Sequence, residues 1–123
     1  MSSGIRQKIL FVDDEAHWRD RISASLTAAG FDVLAASDGS EAMFKAGDSS
    51  VGLMIVDEDL AGESGIMLTK FLRRNHPDVP AILCTSNGHD AERTLDLVRQ
   101  GADRCVPKGC MEELILTVAR CVS

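Results

Sequence analysis

Apolar residues in this chain fall into short unbroken runs, separated by longer stretches where they recur at helical spacing. The runs are Lys8 to Val12 (KILFV), Asp32 to Ala36 (DVLAA), Leu53 to Val56 (LMIV), Ala81 to Cys84 (AILC) and a weaker Asp103 to Val106 (DRCV). A run of four or five such residues predicts a strand covered on both faces. Between the first two runs, Glu15 to Ala29 places Trp18, Ile22, Ser25, Leu26 and Ala29 at helical spacing, and Gly30 supplies a stop. Asp38 followed by Glu41 has the form of a capping box, opening a helix that carries Ala42, Met43 and Ala46 and ends at Gly47. Ile66 to Asn75 offers Ile66, Leu68, Phe71 and Leu72 for burial. The NHPDVP that follows is a loop, because Pro77 and Pro80 each disfavour helix at the preceding residue. Asp90 to Gln100 is helical through Ala91, Leu95 and Val98 and stops at Gly101. Met111 to Val122 is the last helix, with Leu114, Ile115 and Val118 inward and Glu112 and Glu113 well placed in its first turn.

Five strands alternating with five helices predict an α/β fold. Right-handed crossovers require a parallel sheet with helices on both faces. The expected architecture is one doubly wound domain, flavodoxin-like, with a five-stranded sheet in the order 2-1-3-4-5. A chain of 123 residues suits a single core. No apolar run approaches the roughly 20 residues that span a bilayer, and MSSGIRQK leads into no signal-like region, so no membrane association and a cytoplasmic location are expected. The net charge of −6 opposes direct nucleic-acid binding by this domain. Cys84, Cys105, Cys110 and Cys121 form no CxxC pair and have no histidine at zinc-finger spacing, so buried reduced thiols are expected. His17, His76 and His89 are scattered, and Arg73 and Arg74 read as a solvated helix end.

The candidate chemistry lies where the strands end. The third run leads directly into Asp57 and then turns through Ala61, Gly62, Ser64 and Gly65, placing that carboxylate at the sheet's carboxyl rim, where such folds bind ligands. In the expected order, the same rim collects Asp13 and Asp14 from the first strand, Thr85 from the fourth and Lys108 from the fifth. Taken singly, the two aspartates could cap a helix, the lysine could sit in a solvated turn and the threonine could be an ordinary strand-end hydroxyl. Together they crowd three acids, whose repulsion reaches about 4 kcal/mol per close pair at an effective dielectric near 20. A cation relieves that repulsion, and all-oxygen ligands select Mg²⁺. A phosphoryl group bound there would meet Lys108 and Thr85, with Asp57 as the nucleophile that forms an acyl phosphate. The start of the first helix, beside Asp14, adds a favourable field for an anion.

These positions carry a family resemblance. The acid pair in FVDDE, Asp57 followed eight residues later by Gly65, Thr85, the pair Gly101 and Ala102, and Lys108 resemble a response regulator receiver domain, across residues 1–123. The resemblance implies that Asp57 accepts a phosphoryl group from a sensor histidine kinase or phosphotransfer protein. It implies Mg²⁺ held by Asp14, Asp57 and the backbone carbonyl of Asp59, with Asp13 orienting a metal-bound water. Lys108 would pair with the phosphoryl oxygens, and Thr85 would transmit the change to the surface of helix 4, strand 5 and helix 5. That surface would act on a downstream protein or fused effector domain, and its mixed charge allows a homodimer without requiring one. The domain would then be a regulator rather than an enzyme, at most assisting its own phosphorylation and dephosphorylation.

The chain departs from the family pattern at several positions. Ala61 stands where the family usually has proline. Pro107 precedes Lys108, and Gly109 follows it in place of the usual proline. Cys105 occupies the position of the customary aromatic switch residue, and the chain has no tyrosine. Ser86 lies 22 residues before Lys108 and Thr85 lies 23, so either hydroxyl could serve; Thr85 is favoured because it directly follows the apolar run. Two other functions compete. One is a receiver-like scaffold that binds a partner without phosphorylation. The other is a Mg²⁺-dependent phosphohydrolase of the haloacid dehalogenase type, suggested by Asp57-Glu58-Asp59 but opposed by the order of the motifs. The helix ending near Ser123 is compatible with a stand-alone regulator and with a receiver cut from a longer protein.

Overall fold

A computed structural model describes residues 7–85 and 91–122. The strands are β1 (Lys8–Val12), β2 (Asp32–Ala36), β3 (Val51–Asp57), β4 (Asp59–Leu60), β5 (Glu63–Ser64), β6 (Ala81–Thr85) and β7 (Arg104–Pro107). The helices are α1 (Ala16–Ala28), α2 (Gly39–Ala46), α3 (Gly65–Asn75), α4 (Ala91–Gln100) and α5 (Met111–Val122). The main sheet runs β2-β1-β3-β6-β7 with every pairing parallel, which is the predicted order once the β4–β5 hairpin is set aside. That two-residue-strand hairpin was not expected, and it turns through Gly62 at φ +73°.

Strand periodicity divides the core into two layers. Leu10, Val12, Met54, Val56 and Leu83 point to one face and meet Ala42 and Ala46 of α2, Leu68 and Leu72 of α3 and Leu97 of α4. Ile9, Phe11, Leu53, Ile55 and Ile82 point to the other and meet Ile22 and Leu26 of α1 and Leu114 and Val118 of α5. Helices therefore cover both faces, and the strand ends are left clear at one rim. The helix boundaries follow the predicted signals. Gly30 ends α1 at φ +100°, with its N–H and that of Phe31 donating to Thr27 and Leu26 carbonyls. The Asp38 carboxylate accepts from the Glu41 N–H at 2.8 Å, while the Glu41 carboxylate accepts from the Ser37 N–H and hydroxyl.

The expected inner faces need correction at several positions. Met43 and Phe71 are exposed, because α2 and α3 each bury the stripe one position over, through Ala42 and Ala46 and through Leu68 and Leu72. On α4 the buried residue is Leu97, and Ala91, Leu95 and Val98 face outward. Ala29 is likewise exposed. Arg73 is no solvated end: its guanidinium donates to the carbonyls of Pro77 and Val79 and lies 3.5 Å from the Asp103 carboxylate, tying α3 to the loops before β6 and β7. Of the four cysteines, all free, only Cys84 is buried; Cys105 and Cys121 are half-buried and Cys110 is exposed. His76 is half-buried, and His17 lies edge-on to Trp18 at 5.4 Å. His89 and the proposed helix start at Asp90 lie outside the described residues.

Candidate functional site

Because all five sheet strands run the same way, their carboxyl ends share one rim. Asp57 is the last residue of β3 and Thr85 the last of β6, while Asp13 and Lys108 directly follow β1 and β7. Backbone pairing continues one residue past the strands and fixes these positions. The Asp13 N–H donates to the Ala36 carbonyl at 3.0 Å, and the Lys108 N–H donates to the Thr85 carbonyl at 2.9 Å. The chain folds back over Asp57 at Gly65, where a Cβ would come within 2.0 Å of the Asp57 carbonyl oxygen. Only glycine permits that approach.

The side chains converge. Asp13, Asp57 and Thr85 are buried, at 0%, 2% and 3% exposure. The Lys108 ammonium lies 2.9 Å from both Asp57 Oδ2 and Asp13 Oδ2 and 3.5 Å from Glu15 Oε1. With Asp57 its contact is a hydrogen bond. With Asp13 it is an ion pair lacking hydrogen-bond alignment, which leaves Asp13 Oδ2 fully buried without a hydrogen bond. Carboxylate oxygens of Asp13, Asp14 and Asp57 lie within 4.8 Å of one another. One ammonium cannot neutralise three acids. The surplus of hard oxygen donors, with one buried oxygen unsatisfied, fits a small divalent cation such as Mg²⁺.

Electrostatics follow from this crowding. Burial pushes the Asp57 carboxyl above its ordinary range and the Asp13 charge adds to the effect, with Lys108 opposing both. Burial acts to lower the Lys108 pKa, but the close contact with Asp13, the hydrogen bond to Asp57 and the charges of both outweigh it and the net shift is upward. Cys84, beside Asp57 in the sheet, is pushed up to about 12, mainly by burial, and stays a neutral thiol.

Asp14 is half-buried, and its Oδ2 accepts from the Ala61 N–H at 3.2 Å. Proline at position 61 would have no hydrogen to give. Asp59 lines an open cleft of about 440 Å³ with Asp14, Glu15, Glu58 and Arg93. The structure therefore brings Asp13, Asp14, Asp57 and Lys108 together, sets Asp59 in the adjoining cleft and puts Thr85 at the end of the neighbouring strand. Ser86, the competing hydroxyl, lies outside the described residues. Cys105 is half-buried against the core layer of α2, α3 and α4.

Sequence reasoning missed three participants. Trp18, one helical turn after Asp14 and read more as packing than as recognition, presents its ring 5.1 Å from the Lys108 ammonium, within cation–π range. Glu15 reaches the same ammonium. Both follow the acid pair within about one helical turn, and that spacing was the available signal. Arg93 of α4 pairs with Glu58, the residue after Asp57, at 3.4 Å. No local pattern announces that contact.

The fold of this chain is shared by solved receiver proteins. The receiver domain of the Francisella response regulator 1452 superposes with a TM-score of 0.85 at 26% identity, covering 94% of this chain and 96% of that one. The Vibrio cholerae chemotaxis protein CheY4 gives 0.84 at 27%, covering 94% and 98%. The response regulator receiver domain family matches residues 9–120, and the chain belongs to that family. Among curated relatives, the transcriptional regulatory protein CpxR of Klebsiella pneumoniae is 38% identical over 82% of this chain and 42% of its own length. The phosphate regulon regulator PhoB of Pseudomonas aeruginosa is 34% identical over 85% and 46%. The chain thus spans less than half the length of these relatives. No helix among the described residues is long and apolar enough to cross a membrane.

Proposed function

We propose that residues 1–123 form one cytoplasmic receiver domain whose Asp57 accepts a phosphoryl group from a phosphohistidine on a sensor histidine kinase or phosphotransfer protein. The observation that carries this reading is the Lys108 ammonium held 2.9 Å from the buried Asp57 carboxylate, beside two further acids. An Asp57 oxygen attacks phosphorus, the P–N bond to the donor imidazole breaks with its electron pair remaining on nitrogen, and an acyl phosphate results. Asp14, Asp57 and the Asp59 carbonyl would hold Mg²⁺, which would supply neutralisation of charge on the transferring group, and Asp13 would orient water at that site. Lys108, already charged and anchored, pairs with the phosphoryl oxygens. Thr85 turns its hydroxyl toward them, and β7 follows through the Lys108–Thr85 backbone bond, changing the surface of α4, β7 and α5. Cys105, on that strand, leaves the shift without an aromatic to swing inward. The Arg93–Glu58 pair joins α4 to the residue after the phosphoacceptor and gives a second route to the same surface.

The output is a separate protein or a fused effector domain, and a second copy can also use the α4–β7–α5 surface. With a net charge of −6, the domain does not itself bind nucleic acid. Its chemistry is confined to forming and losing its own acyl phosphate.

Beryllofluoride with Mg²⁺, a mimic of the phosphoryl group, tests the reading. Tight binding that Asp57→Asn abolishes, with altered hydrogen exchange in β7, is the expected result. Thr85→Ala should retain binding and lose the exchange response. Binding unaffected by Asp57→Asn, or none, would leave the scaffold reading; turnover of free phosphate esters would favour a hydrolase.

A further inference from the structure

Met43, Phe44, Met67 and Phe71 lie exposed on α2 and α3, an apolar ridge. The opposite irregularity, a covered cation with an aromatic ring against it, lies at the rim. The Lys108 side chain keeps 15% of its surface in solvent, and its ammonium has the Asp57 and Asp13 carboxylates at 2.9 Å and Glu15 at 3.5 Å. The Trp18 ring, 5.1 Å away, is the neighbour that carries no charge.

The loop that bears Lys108 is open. Gly109 is exposed, and a Cβ there would meet no atom of the described residues within 4 Å, its chain neighbours apart. The bond from the Lys108 N–H to the Thr85 carbonyl fixes the root of the side chain and leaves its tip free to turn. A lysine stem has several rotatable bonds, so the ammonium stays where its contacts hold it. Trp18, by contrast, is anchored. The start of α1 is tied to the rim, with the Glu15 N–H donating to Asp13 Oδ1 at 2.9 Å and the Arg19 guanidinium donating to the Asp13 carbonyl at 2.8 Å. Arg21 lies 5.8 Å from the ring centroid, His17 meets the ring edge-on, and the indole packs against the core layer of α1 and α5.

We propose that Trp18 is a positioning residue for Lys108, its ring keeping the ammonium at the rim once the neighbouring carboxylates are engaged by a phosphoryl group and Mg²⁺. The proposal rests on Asp57 being the phosphoacceptor. In the unliganded protein the ring is one contact among several, and the acids alone hold the cation. On phosphorylation, Asp57 gives one oxygen to the acyl phosphate, and a divalent ion would draw the remaining acidic oxygens away from the ammonium. An indole face is no ligand for a hard cation, so the Trp18 contact survives that competition. Attraction to a ring face is also less directional than a hydrogen bond, which lets the ammonium turn its N–H groups toward the phosphoryl oxygens without leaving the ring. Trp18 therefore contributes more to the loaded domain than to the empty one.

Titrating wild type, Trp18→Phe and Trp18→Leu with beryllofluoride in saturating Mg²⁺, with binding read by fluorine NMR, tests this. Trp18→Leu, which keeps apolar cover but has no ring, should bind at least about threefold more weakly, and Trp18→Phe should lose a smaller factor. Packing alone would move the melting temperature and not this ranked affinity. In proton–carbon NMR spectra the Lys108 ε-methylene protons should lie upfield of their position in Trp18→Leu, shifted by the ring current, and should stay there with beryllofluoride bound. Trp18→Phe retains a ring on the same helix face, so it carries the comparison where Trp18→Leu loosens the fold. Wild type that binds through Asp57, with both variants binding equally well, would overturn the inference alone, as would an upfield shift that disappears on loading. Wild type that fails to bind, or binds equally after Asp57→Asn, would overturn the phosphoacceptor reading and this inference with it.

Discussion

The carboxyl rim and the α2–α3 ridge break the same rule in opposite directions. At the rim, charges are buried: Asp13 has no exposed surface and Asp57 2%, with one ammonium between them. On the ridge, large apolar side chains are exposed, Phe44 most of all at 84%. Buried charge and exposed hydrophobic surface are the informative departures from ordinary burial, and each marks a place where folding stability is not what the arrangement serves. They differ in how firmly they are held. Asp13 and Asp57 are fixed by backbone pairing at the strand ends, so their charges cannot escape to solvent. The ridge rests on the outer face of two helices and constrains nothing beneath it.

That difference can be broken at the rim. Lys108→Ala, in metal-free buffer, leaves two buried carboxylates without their counter-ion and should cost about 3 kcal/mol, lowering Tm by roughly 10 °C. Mg²⁺ should recover much of the loss; a melt unchanged by the substitution would mean the acids are relieved some other way. Asp57→Asn should move stability upward, by about 1 kcal/mol, since burial disfavours the charge that it removes. The ridge should respond far less. Phe44→Ala is expected within about 0.5 kcal/mol of wild type by urea unfolding, and a loss of several times that would show the side chain packs where exposure says it does not.

Legibility in the sequence follows the same division. The central strands could be read because runs such as Leu53 to Val56 and Ala81 to Cys84 are too short for a helix and apolar throughout. The rim could be read because acids, a hydroxyl and a lysine directly end those runs, and a parallel sheet brings its strand ends together whatever their separation in sequence. The α4 face could not, since Ala91, Leu95 and Val98 make a more populated stripe than Leu97, yet Leu97 is the one that points at the sheet. Met43 and Phe71 were misplaced for a related cause: hydrophobicity says that a residue prefers cover, not whether this chain supplies it. The approach of Arg93 to Glu58 depends on tertiary placement, for which the sequence holds no local sign.

The smallest expected effect opposes one carboxylate from each region. Glu41, on α2 beside the ridge, is held down at about 2 from 4.5, first by the Ser37 N–H and then by Lys45 and the Ser37 hydroxyl. Asp57 is displaced upward by burial. A depressed folded value contributes stability that is present above the unfolded value and lost as pH falls through the folded one. Glu41 therefore removes stability between about 4.5 and 2 on acidification. For Asp57 the sign reverses: with a raised folded value, stability declines as pH climbs from the unfolded 3.8 through the folded value. Glu41→Gln should flatten the acid limb of a metal-free Tm-against-pH curve, and Asp57→Asn should flatten the decline above it. Because the Glu41 side chain keeps 38% of its surface in solvent, its share is small, and a carboxyl NMR titration gives the sharper check. A Glu41 midpoint near 4.5 would show that the Ser37 contacts do not hold in solution, whereas one near 2 would place the better-solvated carboxylate as the stronger acid of the two.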